Sequence, residues 1–231
     1  MKGNIAIIPA RGGSKRIPRK NIRAFADKPI IAYSIKAALE SGLFEEVMVS
    51  TDDEEIAAVA REYGAHIPFL RSAGNANDFA TTADVLIEVL QQYSANGKEF
   101  LNACCIYPCA PFVTGNRLKE AFDILIQKDL DSVFPVMKFH YPIQRALKMN
   151  DRGLIEMFNP QYLSTRSQDL EPGYCDAGQF YWFNVKRFLE KKVVWTNNTT
   201  GIVIPELEGH DIDNLDDWKV AEIKYRILNE L

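Results

Sequence analysis

Short apolar runs alternate with helical periods over residues 5–136, and this rhythm restricts the architecture more than any other feature of the chain. Ile5 to Pro9 reads as a strand buried on both faces. A glycine-rich, basic loop follows over residues 10–21. Ile30 to Leu39 has helical spacing, with Pro29 suited to its first turn and Gly42 to its end. Val47 to Ser50 is a strand, Asp53 to Tyr63 a helix closed by Gly64, and Ile67 to Leu70 a short strand. Thr81 to Tyr93 places Val85, Leu86, Val89, Leu90 and Tyr93 on one helical face. Ala103 to Tyr107 (strand), Asn116 to Gln127 (helix) and Ser132 to Val136 (strand) complete the series. Such alternation predicts an α/β fold, a mostly parallel sheet with helices on both faces. Its ligand crevice is expected at the carboxyl ends of the strands.

The rhythm breaks after Val136. Residues 138–178 are rich in Tyr, Pro, Arg and Gln and show no helical period, which reads as an inserted arm. Strands resume at Gln179–Phe183, Gly201–Ile204 and Asp211–Asp213, and a last helix spans Leu215–Leu228. The expected organisation is one α/β domain from residues 1–137 and 179–231, interrupted by the arm at 138–178. With 231 residues, 47% of them hydrophobic, the chain can bury a core without a disulfide or metal staple. The four cysteines, Cys104, Cys105, Cys109 and Cys175, lack zinc-site spacing and read as buried, reduced core thiols. A net charge of −4 argues against a general nucleic-acid binder, though not against a local basic site for an anion. No signal-peptide pattern and no apolar run of membrane-spanning length is present, so a cytoplasmic protein is expected.

Two features carry chemistry. The first is Arg11-Gly12-Gly13-Ser14-Lys15-Arg16-Ile17-Pro18-Arg19-Lys20-Asn21, directly after the first strand. Its glycines let backbone N–H groups approach phosphate oxygens, and its cations neutralise a polyphosphate. It is neither a Walker A loop nor a Gly-x-Gly-x-x-Gly fingerprint. The second is Asp211-Ile212-Asp213: on a strand both carboxylates share one face, and hard oxygens of that kind suit Mg²⁺ shared with phosphates. Asp52-Asp53 offers a rival metal site, although its setting favours a helix cap with acidic first-turn residues. Cys175 to Phe183 mixes polar groups with aromatics, as a sugar pocket or a core strand does. Arg145 and Arg166 lie in the arm, and His66, His140 and His210 are scattered.

The run Ile7 to Lys15, continuing to Pro18-Arg19-Lys20-Asn21, resembles the phosphate loop of the CMP-sialic acid synthetase family. The resemblance extends to Val49-Ser50-Thr51-Asp52, Ala80 to Asp84, Pro108-Cys109-Ala110-Pro111 and Asp211-Ile212-Asp213. Within that family, Cys105 to Pro108, Tyr141 to Leu147, Arg166 to Pro172 and Asp176 to Trp182 are similar to the members that act on pseudaminic acid. Sialic acid synthetases usually carry Gln at the position of Tyr107. Cys109 and Cys175 depart from the family pattern.

The resemblance implies a Rossmann-like domain, an arm exchanged across a homodimer, and transfer of CMP from CTP to an acidic keto-sugar. It implies that Ala10, Arg11, Gly12, Gly13, Ser14 and Lys20 cradle the phosphates, with Arg11 and Lys20 counted as catalytic. Asn21, Arg71 and Thr82 would meet the cytidine, and Asp211 and Asp213 would hold Mg²⁺. Arg166 matches a position treated as catalytic. Tyr107, Gln144, Arg145, Arg166, Gln168, Gln179 and Tyr181 are the expected sugar contacts. Downstream, flagellin glycosylation or surface polysaccharide assembly would use the product. The competing expectations are the same reaction on legionaminic acid, sialic acid or the eight-carbon acid of lipopolysaccharide, a sugar-1-phosphate nucleotidyltransferase, and a non-catalytic nucleotide-binding dimer.

Overall fold

A computed structural model describes residues 3–77 and 79–230. The chain runs through β1 (Asn4–Pro9), the short hairpin β2 (Ala24–Phe25) and β3 (Lys28–Pro29), α1 (Ile31–Ser41), β4 (Glu46–Ser50), α2 (Glu54–Glu62), α3 (Thr82–Ala95), β5 (Asn102–Ile106) and α4 (Gly115–Gln127). It continues through β6 (Ser132–Lys138), β7 (Leu147–Met149), β8 (Ile155–Met157), β9 (Tyr174–Asp176), β10 (Phe180–Asn184), α5 (Val185–Lys191), β11 (Thr199–Val203) and α6 (Leu215–Glu230). The main sheet has the order β11-β6-β10-β5-β1-β4. β1 pairs in parallel with β4 and β5, while β10 is antiparallel to both β5 and β6. Because β4 and β5 flank β1 on opposite sides, the chain changes winding direction there, and a crevice opens at the carboxyl end of β1.

Both faces of the sheet are covered. Ala6 and Ile8 face Ile31, Ile35, Ile56 and Leu118 of α1, α2 and α4. Ile5 and Ile7 face Leu86, Val89 and Leu90 of α3 and Phe188 of α5. Trp182 of β10 is fully buried against Phe44 and Phe122, and its indole N–H donates to the Leu118 carbonyl at 3.0 Å. A third cluster joins α6 to the loop after β1: Ile17, Phe25, Ile30, Tyr33, Phe112, Ile212 and Trp218.

Three expectations are corrected. Ile67–Leu70 is not a strand; pairing next to β4 stops at His66, since Pro68 has no N–H to continue a ladder. Asp211–Asp213 is extended but unpaired, because the Ile212 carbonyl accepts from Lys20 Nζ (2.5 Å) and the Asp213 N–H donates to Asp217 (2.9 Å). The burial alternation survives, with Ile212 buried between two accessible carboxylates. α5 was not expected; Asn184 caps it by accepting from the Arg187 N–H at 3.1 Å.

The segment after β6 leaves and returns at one point. The Phe139 N–H donates to the Gly173 carbonyl at 3.0 Å, and β9 then pairs antiparallel with β6. Between them lie the β7–β8 hairpin and short turns, exposing Tyr141, Met149, Phe158 and Leu163.

Asp131 ties the start of β6 to the end of α5 and the loop before β11. Burial pushes its pKa up, but hydrogen bonds from Lys191, Thr196 and Asn198 outweigh this and bring it down to about 2, from 3.8. A depressed carboxylate stabilises the fold above its unfolded pKa and loses that contribution as pH falls. Asp131→Ala is therefore expected to cost about 2 kcal/mol at neutral pH. In urea unfolding across pH, the deficit should shrink between about pH 4 and pH 2, where the wild-type group protonates.

Candidate active site

A cavity of about 450 Å³ opens at the carboxyl ends of β4, β1 and β5. Pro9, Arg11, Ser14, Lys15, Arg16, Lys20 and Asn21 form one wall. Arg71, Ala80, Thr81, Thr82, Val85 and Tyr107 form the other, and Asp213 closes the rim. Strand ends fix where each segment begins: Pro9 ends β1, Ser50 ends β4, and Tyr107 follows β5.

The basic loop is pinned by its own backbone. The buried Ala10 donates its N–H to the Ser50 carbonyl (2.9 Å), and the Gly12 N–H donates to Asp52 Oδ1 (3.0 Å). A Cβ at Gly12 would lie 2.6 Å from Asp53 Oδ2, so only glycine fits, whereas nothing crowds Gly13. Ser14 turns back through its N–H to the Gly12 carbonyl at 3.0 Å. Asn21 is buried; it donates from Nδ2 to the Arg11 carbonyl (2.9 Å) and accepts from the Cys109 thiol (3.2 Å). Burial pushes that thiol up to about 12, so it is a protonated donor at neutral pH.

Arg71 sits deep in the opposite wall, 9% exposed, with its hydrogen bonds to Ser50 Oγ (3.1 Å) and the Ser50 carbonyl (2.6 Å). Desolvation lowers its pKa. Among the described residues no carboxylate forms an ion pair with it, though the charges of Asp52 and Glu88 favour its protonated form, and it lines the cleft as a largely buried cation. Thr82 begins α3, behind Thr81, which forms a reciprocal capping box with Asp84. The Thr82 hydroxyl lies 3.4 Å from the Tyr107 hydroxyl.

Across the cleft, Asp213 pairs with Arg16 at 2.7 Å, and Asp211 is exposed beside it. The described residues contain no group of three or more His, Cys, Asp or Glu able to hold a metal alone. Asp213 lines the cleft and Asp211 does not, but one carboxylate facing the basic loop with a second two residues away fits Mg²⁺ all the same, since that ion is held by one or two carboxylates and takes its remaining ligands from phosphates and water. Asp52 and Asp53 are committed elsewhere: Asp53 caps α2 by accepting from the Glu55 and Ile56 N–H groups, and Asp52 holds Gly12.

A family model described as cytidylyltransferase matches residues 5–162, more than half of the chain. The pseudaminic acid cytidylyltransferase of Campylobacter jejuni strain 81-176 is 41% identical over 98% of both chains. The chain belongs to the cytidylyltransferase family. The CMP-N,N'-diacetyllegionaminic acid synthase of Legionella pneumophila is 33% identical over 94% of each chain. A solved CMP:2-keto-3-deoxy-manno-octonic acid synthetase complexed with CTP superposes with a TM-score of 0.68 at 16% identity, over 99% of this chain and 100% of the other. That likeness establishes the fold, a Rossmann-like α/β sheet.

In this cytidylyltransferase Arg11, Ser14, Lys20, Asn21, Arg71 and Thr82 of the expected nucleotide-side residues line one cleft, together with Lys15, Arg16 and Thr81, which were not among them. Ala10, Gly12 and Gly13 do not line it, Ala10 being fully buried. The basic run and the Thr-Thr-x-Asp cap were the available signals. The expected sugar contacts divide. Tyr107 lines the cleft; Tyr181 packs on it at 5.4 Å between ring centres and donates to Asp176 at 2.7 Å. Gln179 is buried, and its amide donates to the Glu208 carbonyl at 2.5 Å, which leaves it a structural tie. Gln144, Arg145, Arg166 and Gln168 do not line the cleft. Gln144 donates to the Glu171 carbonyl, Arg145 reaches Ser167, and Arg166 pairs with Asp169. A larger cavity of about 640 Å³ lies between α1, α4 and α6, but there Arg117 is already neutralised by Glu120 and Glu208.

Arg71→Met keeps the bulk and removes the buried charge. It is expected to shift the melting temperature by only a few degrees while weakening CTP binding about tenfold, measured by calorimetric titration.

Proposed function

We propose that this chain transfers CMP from CTP to the anomeric 2-hydroxyl of pseudaminic acid, releasing pyrophosphate. The observation that carries this reading is the cleft itself, where a glycine-rich cation loop faces the carboxylate of Asp213. The substrate follows from the 41% identity with the C. jejuni pseudaminic acid enzyme over nearly the whole of both chains.

In this reading the 2-hydroxyl oxygen attacks the α-phosphorus as the bond to pyrophosphate breaks, and the hydroxyl proton passes finally to water. Arg11, Ser14 and Lys20 bind the phosphates and oppose the charge that grows on the leaving group, an electrostatic contribution of large effect in a preorganised site. Arg71, Asn21 and Thr82 hold the cytidine end. Asp211 and Asp213 would hold Mg²⁺, which when bound neutralises and orients the phosphates. Tyr107 and Tyr181 would meet the sugar.

The residues of the arm, Arg145 and Arg166 among them, would serve the sugar carboxylate of a neighbouring subunit. What supports a homodimer is the set of apolar side chains that the arm presents to solvent, with Met149 68% and Leu163 69% exposed. No helix among the described residues is long and apolar enough to cross a membrane, consistent with action in the cytoplasm.

The reaction is tested by pyrophosphate release with CTP and Mg²⁺, offering pseudaminic, legionaminic and N-acetylneuraminic acids in parallel. Turnover with pseudaminic acid alone is expected; turnover with another sugar only would keep the reaction and discard the substrate. Asp211→Ala should fold normally and lose at least 10²-fold in turnover, given the size of single electrostatic contributions. Light scattering should give twice the monomer mass, 26.2 kDa for one chain, and Met149→Glu with Leu163→Glu should reduce it to one.

A further inference from the structure

The cations of the basic loop are not alike. Arg19 stands in the left-handed region, φ 56°, where a side chain with a Cβ is strained. The side chain turns away from the cleft and does not line it. Its guanidinium takes a two-pronged grip on Asp53, Nη1 to Oδ2 at 2.5 Å and Nη2 to Oδ1 at 3.1 Å, and Nη2 also donates to Glu55. Asp53 is itself fixed, because its Oδ1 caps α2 at 3.0 Å from both the Glu55 and Ile56 N–H groups. The same carboxylate is the group against which Gly12 packs. The next residue, Lys20, lines the cleft and donates to the Ile212 carbonyl between the two carboxylates. The strained turn at Arg19 thus separates one cation that faces the helix cap from one that faces the ligand.

We propose that Arg19 is a positioning residue: it anchors the phosphate loop to the N-terminal cap of α2 through Asp53, and thereby aims Lys20 and the Gly12–Ser14 backbone at the triphosphate. The proposal rests on the CTP-dependent reading above. Hydrogen bonding from Arg19 holds Asp53 below the usual carboxylate range, so the anchor is ionised at neutral pH. Two-pronged guanidinium–carboxylate contacts fix orientation as well as distance, which a single lysine contact does not.

The test uses Arg19→Ala, Arg19→Gly and Asp53→Asn in the full chain. Asparagine still caps a helix, so Asp53→Asn removes the charge and keeps α2. Two quantities are read: hydrogen exchange of residues 10–21 in the free protein, and affinity for CTP by calorimetry. All three variants should speed exchange of the loop and weaken CTP binding about tenfold, with Arg19→Ala and Asp53→Asn combined no worse than either alone. If Asp53→Asn binds CTP as tightly as wild type or tighter while Arg19→Ala is weak, Arg19 is a phosphate ligand and the anchor is wrong. If Arg19→Gly behaves as wild type, only the backbone turn matters and the anchor is again wrong. Unchanged loop exchange in Arg19→Ala also overturns it. A wild-type protein that binds no CTP defeats the functional reading instead, and loop exchange then still decides the anchor.

Discussion

Five cations within the eleven residues Arg11–Asn21 repel one another, and the shape of the cleft they line depends on holding that loop compact. The hold comes from two sources. The parallel strands supply carbonyls at their ends, so that Ser50 receives the N–H of Ala10 and the guanidinium of Arg71. The start of α2 supplies carboxylates: Asp52 takes the Gly12 N–H, and Asp53 and Glu55 take Arg19. An acidic first turn that benefits a helix end is here also the counter-charge for a basic loop.

The same economy appears on the far rim. α6 packs Trp218 and Ala221 against Ile17, Phe25 and Tyr33, and Ile212 enters that cluster from the segment just ahead of α6. Burying Ile212 leaves its two neighbouring aspartates outward, and Lys20 bonds to the carbonyl between them. A strand is therefore not needed to present the pair; one buried side chain between two polar ones suffices. The distance between the cation loop and the carboxylates is set by apolar packing behind both.

The arm obeys different physics. It is closed at its base by Phe139, Gly173 and the β6–β9 pairing, yet beyond that point it exposes large apolar side chains and covers no part of its own cleft. Its arginines make only local contacts, with Ser167 and Asp169. A segment built this way leaves apolar surface in water that packing against another surface would bury, which is the physical basis of the proposed homodimer.

Much of this was written in the sequence. Hydrophobic period located every parallel strand of the main sheet, because a strand buried on both faces must be apolar throughout and the helices beside it must be amphipathic. Glycines and cations after β1 marked one wall of the cleft, since a composition of that kind at a strand end suits an anion. What local pattern does not encode is which polar groups meet. Period alone read Ile67–Leu70 and Asp211–Asp213 as strands, whereas pairing depends on a neighbour with free N–H and C=O groups. Nor does composition say that Gln179 is tied to Glu208 (2.5 Å), or that Arg19 faces Asp53 across 34 residues while Lys20 lines the cleft. Those assignments were decided by the tertiary structure, because a side chain's role is set by the groups that folding brings within hydrogen-bond reach.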